Sequence, residues 1–172
     1  MIPDYVSIDE LVRDADGDNV AIGQLGEDYP GLEQALSDVT QNAVAQGFGS
    51  LKIVVLDRTP AQPADLRDIA TEVQQHTGVD TVIVRSPGTG AVVSETYARK
   101  AIEQAEKTMY GDPDYVVSAQ TFVDSVQADT TPWQEINLGL GLIVLAAVVT
   151  TGWATWRRGR TQSATPADAM AE

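Results

Sequence analysis

Residues 51–85, LKIVVLDRTPAQPADLRDIATEVQQHTGVDTVIVR, decide the fold. At their two ends, residues 51–57 (LKIVVLD) and 81–85 (TVIVR) are short apolar runs rich in β-branched side chains, which read as buried strands. Between them, residues 64–77 set Leu66, Ile69, Ala70 and Val73 at helical spacing, and Gly78 supplies a C-terminal stop. Strand, helix and strand within this length make a βαβ unit. The helical crossover pushes the two strands toward parallel pairing with a right-handed connection. An α/β domain follows, a small sheet with a βαβ core flanked by helices.

The flanks extend this pattern. Upstream, residues 30–46 carry Leu32, Ala35, Leu36, Val39 and Val44 on an amphipathic helix that ends at Gly47 and Gly49. Downstream, Ser86-Pro87-Gly88-Thr89-Gly90 reads as a tight connection into a short strand over residues 91–94, a hairpin signal. Residues 95–109 are helical in pattern, with Ala98, Ile102, Ala105 and Met109 on one face. A further helix over residues 113–126 holds Val116, Val117, Phe122, Val123 and Val126. The expected organisation is an acidic N-terminal segment (1–29), an α/β domain (30–128), a linker (129–135), a membrane span (136–156) and a basic, then disordered, tail (157–172).

The span is the clearest statement of location. Residues 136–156, INLGLGLIVLAAVVTTGWATW, contain no charge and are followed by Arg157, Arg158 and Arg160. At 1.5 Å per residue such a helix covers roughly 30 Å, the thickness of a hydrocarbon core. Trp133 at one end and Trp153 and Trp156 at the other suit the two interfaces. The three Arg follow the span, whereas the last basic residue before it is Lys107. The positive-inside rule therefore points the tail to the cytoplasm and the α/β domain outside, in a single-pass cell-membrane protein. Residues 1–28 show no basic stretch followed by an apolar core, so the span is expected to act as export signal as well as anchor. The competing arrangement is a tail-anchored protein whose domain stays in the cytosol.

Composition narrows the partners. The 172 residues carry a net charge of -14, and residues 1–135 hold 23 acidic and 8 basic side chains. Nucleic acid is excluded as an expected partner, because phosphate binding requires clustered Lys and Arg. Without Cys the chain has no thiol nucleophile, disulfide or thiolate metal site. His76, the sole His, lies near a helix end where interaction with terminal carbonyls is expected, and no cofactor motif occurs. Asp14, Asp16, Asp18, Glu27 and Asp28 cluster, but a calcium loop beginning at Asp14 needs Gly and Glu where Asn19 and Leu25 stand; a solvated acidic loop is expected.

The succession of a helix, KIVVLD, ADLRDIATEV, DTVIVRSPGTGAVVS and a further helix before an anchor resembles the TPM domain family. It is closer still to a group of conserved single-pass membrane proteins of mycobacteria and corynebacteria. The resemblance covers residues 30–110 and the anchor. It implies a role in envelope or cell-wall assembly, and some TPM relatives have been assigned metal-dependent phosphatase activity through acidic residues near the second core strand. TPM domains often carry Asp-Asn-Gly there, where this chain has Gly78-Val79-Asp80. Only Asp57 and Asp80 correspond by position, and no catalytic role is assigned to them.

One constellation comes from the residues themselves. The core strands end alike, in Asp57-Arg58-Thr59-Pro60 and Val84-Arg85-Ser86-Pro87. In a parallel pair both ends fall on the carboxyl edge of the sheet, where open α/β folds form binding crevices. There Arg58 and Arg85 can make a fork for a carboxylate or phosphate, aided by Thr59, Ser86 and the backbone of Gly88 to Gly90. The alternative is that each Arg pairs with a nearby carboxylate such as Asp57 and the Pro simply ends each strand. The expected function is a non-enzymatic interaction or regulatory module of the cell envelope, bound to the bilayer by one helix and to an envelope protein, with no cofactor. The competing class is a TPM-like metal-dependent phosphatase using Asp57, Asp80 and the two Arg.

Overall fold

A computed structural model describes residues 2–130, which form one compact unit. The expected span, its flanking Trp133, Trp153 and Trp156, and Arg157, Arg158 and Arg160 lie outside the described residues. Among the described residues no helix is long and apolar enough to cross a membrane.

The chain runs α1 (Ile8–Asp18), β1 (Val20–Ile22), α2 (Gln24–Asp28), α3 (Leu32–Ala45), β2 (Leu51–Val55), α4 (Pro63–Thr77), β3 (Thr81–Ser86), β4 (Thr89–Ser94), α5 (Arg99–Tyr110) and α6 (Tyr115–Thr130). It is a mixed α/β fold with a single sheet in the order β1-β2-β3-β4. The first three strands are parallel, with Ile53 opposite Val20 and Ile83, and β4 returns antiparallel to β3 through Pro87 and Gly88. The expected βαβ unit and hairpin are both present.

Strand alternation divides the core. Val20, Ile22, Ile53, Val55 and Ile83 meet α3, α5 and α6 on one face, where Leu36, Met109 and Phe122 are fully buried. Ala21, Val54, Val82 and Val84 meet Ala15 of α1 and Leu66, Ile69 and Val73 of α4 on the other. Period-two side chains facing apolar helices on both sides explain why the strands read as continuous apolar runs. Gly78, at φ 67°, ends α4 in the left-handed conformation that a Cβ disfavours.

Residues 8–28, set apart in the sequence as an acidic segment, belong to this unit. Ser7 caps α1, accepting from the Glu10 amide at 3.4 Å, and β1 extends the sheet beyond β2. Two of the acidic residues are occupied structurally. Asp18 Oδ1 accepts from the Val20 amide at 3.0 Å and Asp14 Oδ2 from the Ile22 amide at 3.2 Å, the two β1 donors that face away from β2. At the opposite edge, Glu106 Oε1 accepts from the Val92 amide of β4 at 2.8 Å. Carboxylates from α1 and α5 thus cover both edge strands, which would otherwise offer free donors to another chain. Lys52, buried at 6% exposure, donates from Nζ to the Ala15 carbonyl and to Asn19 Oδ1, holding the C-terminal end of α1 on the sheet. Burial lowers the pKa of this amine, and Asp16 and Asp18 partly oppose that shift.

The crossovers position the site. From β1 to β2 the chain passes through α2 and α3 on one face; from β2 to β3 it passes through α4 on the other. Both crossovers step the same way along the sheet, so they have opposite hands, and one departs from the usual right-handed rule. The loops leaving the carboxyl ends of β1 and β2 therefore diverge to opposite faces. A crevice opens between them.

Candidate functional site

That crevice is a hollow of about 430 Å³ at the carboxyl ends of β1 and β2, closed on one side by the segment leading into α1. Its floor is Val55 and Leu56, and its walls include Gly23 and Gln24 after β1, Asp57 and Arg58 after β2, and Tyr5, Ser7, Glu10 and Leu11. Asp57 fixes the β1 side: Oδ1 accepts from the Leu25 amide at 3.2 Å, and Oδ2 would lie 2.8 Å from a Cβ placed on Gly23. Glycine at position 23 lets that carboxylate approach the start of α2. The guanidinium of Arg58 lies over the Tyr5 ring, 3.5 Å from its centroid, in cation–π geometry. Arg58 makes no hydrogen bond or ion pair with any described residue.

Arg85 has a different environment. It is 2% exposed on the α5 and α6 face, and its Nη1 and Nη2 donate to the carbonyls of Met109 and Asp112 at 2.7 and 3.2 Å. Met109 lies in the last turn of α5 and Asp112 just beyond its end, so the cation braces that helix terminus. Tyr110 and Tyr115 lie 6.0 and 5.4 Å from the guanidinium carbon. Burial lowers the Arg85 pKa, against the raising effect of both tyrosines and Asp112, and burial pushes the Tyr110 hydroxyl well up, with Glu106 adding to it. Arg85 Nε and the fully buried Ser86 Oγ have no hydrogen-bond partner among the described residues. A second hollow, of about 350 Å³, is lined by Arg85, Gly88, Tyr110 and Tyr115.

The two arginines expected to form one fork are therefore not brought together. Arg58 is exposed on the α1 side, and Arg85 is buried on the α5 and α6 side. Neither pairs with Asp57. Both stand at the carboxyl ends of parallel strands, but the shared strand-end pattern does not report the opposite faces on which they sit. Thr59 instead ties the two loops together, its Oγ1 donating to the Pro87 carbonyl at 2.7 Å.

Asp57 and Asp80 are likewise apart. Asp80 stands before β3 at the amino edge of the sheet, where its Oδ2 accepts from the Ser50 amide at 2.8 Å and from the Ser50 hydroxyl at 2.7 Å. The Ser50 hydroxyl, followed by the amide, holds the Asp80 carboxyl below its ordinary range. Asp57 lies past the other end of β2, roughly 20 Å away by strand rise, so the two carboxylates cannot share a metal ion. Among the described residues no three metal-ligating side chains converge. His76 contacts the Glu72 carbonyl through Nδ1 at 2.8 Å in the last turn of α4, the structural use expected for it.

Tyr5, Ser7, Glu10, Gly23 and Gln24 were not singled out in the sequence. The signal available for part of this wall was Ser7 followed three residues later by Glu10, a capping-box pattern that marks the start of α1.

Comparison with known proteins gives the chain its relatives. A solution structure of the N-terminal domain of the cg2496 protein from Corynebacterium glutamicum superposes with a TM-score of 0.53 over 67% of this chain and 81% of that one. At 15% identity it shares the fold alone. A Mycobacterium tuberculosis protein named membrane protein Rv1476 is 34% identical over 149 residues, 86% of this chain and 77% of that protein. The profile of the family described as membrane protein Rv1476 matches residues 1–165, and the chain belongs to that family.

Proposed function

We propose that this chain is a single-pass membrane protein of the cell envelope whose α/β domain is an interaction or regulatory module. The observation that carries the reading is the uncharged run of residues 136–156 with Arg157, Arg158 and Arg160 directly behind it, in a chain that belongs to a family of membrane proteins. A run of that length suits a bilayer-spanning helix, and the Arg triplet favours a cytoplasmic tail with the acidic domain on the outer side. The domain would stand off the membrane, since its acidic surface is repelled by anionic headgroups. Envelope or cell-wall assembly is the context that the TPM-like resemblance suggests, and a low-identity likeness to a corynebacterial domain is compatible with that relation.

The phosphatase reading lacks a specific observation in its favour, because its two candidate carboxylates occupy opposite ends of the sheet. The test of the proposed function is topology. Compartment-sensitive reporters fused at each end of the full chain should be active outside at the N-terminus and inside at the C-terminus, and alkaline carbonate should leave the chain in the membrane. Release by carbonate would remove the anchor, and the reverse reporter pattern would move the domain to the cytosol.

A further inference from the structure

The crevice at the ends of β1 and β2 has a feature that neither membrane anchorage nor the fold requires: it holds charges of both signs that do not neutralise one another. Arg58 is adjacent in sequence to Asp57 and shares the hollow with Glu10, yet it forms an ion pair with neither. Its guanidinium lies over the Tyr5 ring instead, which covers one face and leaves its N–H edges without an acceptor among the described residues. Glu10, which also lines the hollow, has given only its backbone amide, to Ser7, and its carboxylate has no partner among the described residues. Asp57 is half used, by the Leu25 amide. Val55 and Leu56 provide an apolar floor between these groups.

A ligand with only an anionic group would satisfy Arg58 and meet two carboxylates nearby. One with only a cationic group would satisfy Glu10 and face the arginine. The complementary molecule carries both. We propose that this crevice binds a small zwitterion of amino-acid or dipeptide size, with its carboxylate on Arg58 and its ammonium on Glu10. The forked guanidinium matches a carboxylate through two parallel hydrogen bonds. The volume, about 430 Å³, lies within the range of small-molecule sites and is ample for a dipeptide. The divergent crossovers explain why the hollow is at this position and why the sheet edge here is left open. This inference stands on the crevice alone and holds whichever way the chain is oriented in the membrane.

The test uses the full chain in detergent micelles, followed by amide NMR and thermal melting, with L-alanyl-L-alanine as the probe. The dipeptide should shift the amide resonances of Gln24, Asp57 and Arg58 saturably. N-acetylation of the dipeptide, which removes the ammonium, and amidation of its carboxylate should each weaken binding by about tenfold or more. R58A and E10Q should each abolish the response while leaving the melting temperature close to that of the parent. E95Q, at the opposite edge of the sheet, should bind as the parent does. Absence of any shift at millimolar dipeptide, equal binding of the blocked dipeptides, or an undiminished response in R58A would each overturn the proposal.

Discussion

The two edges of the parallel sheet are built in opposite ways. At the amino edge the polar side chains of Ser50, Asp80, Gln74 and Tyr97 are all paired. Ser50 and Asp80 exchange three hydrogen bonds of 2.7–2.8 Å, Gln74 Nε2 donates to the Asp80 carbonyl at 3.0 Å, and the Tyr97 hydroxyl donates to the Phe48 carbonyl at 2.7 Å. The Tyr97 ring also stacks on Phe48 at 4.7 Å, so the edge is sealed by packing as well. At the carboxyl edge the loops diverge, two hollows are present, and among the described residues Arg58 contacts the Tyr5 ring without pairing to a carboxylate. A satisfied edge contributes to stability. An edge with unpaired charge is held open at some cost in stability, as binding sites usually are. Substitutions should therefore separate: those at the amino edge reduce stability and leave recognition alone, and those at the carboxyl edge do the reverse.

The largest effect is expected at Gly49. Its φ of 104° disfavours any side chain, and a Cβ there would lie 2.9 Å from Asp80 Oδ2, so G49A strains the backbone and displaces the carboxylate of the Ser50 clamp together. A loss of about 2 kcal/mol or more is expected in urea unfolding, combining left-handed strain with the broken hydrogen bonds. Next is D80N, which keeps the shape but weakens the acceptor; about 1–2 kcal/mol should be lost at neutral pH. Because the folded Asp80 pKa lies below its ordinary 3.8, its contribution is complete above that value and disappears as pH falls through the lower folded value. D80N should remove that part of the acid dependence in pH-resolved melting. Y97F removes one hydrogen bond while keeping the ring stack, and about 1 kcal/mol is expected. R58A comes last, with less than about 1 kcal/mol from the lost contact with Tyr5, and it alone in this series should impair ligand binding.

How much of this was legible in the sequence depends on the length and burial of each piece. β2 and β3 were readable as β-branched apolar runs and α4 by its helical period, and Gly78 marked the end of α4 where a φ of 67° favours glycine. β1 was not, since its three residues are too few for any period and Asp16 to Asn19 just before it have loop composition. Its absence from the sequence reading also hid the crevice, which exists only because a strand precedes β2 in the sheet. Arg85 illustrates a second limit. Its position at the carboxyl edge was evident, but a buried arginine that braces a helix end looks identical in sequence to one that faces a ligand. The acidic cluster at Asp14 and Asp18 was visible as charge, whereas its use as a cover for the β1 edge depends on a strand the pattern did not reveal.

The contrast between the edges can be tested directly in membranes by site-specific photo-crosslinking. A photoreactive side chain at Gln24 samples the carboxyl edge, and one at Thr96, beside the Ser50–Asp80 clamp, samples the amino edge. Both positions are exposed. With L-alanyl-L-alanine added, a dipeptide-sized adduct is expected at position 24, lost on adding R58A, and none at position 96. A discrete adduct from position 96 with none from position 24 would contradict it.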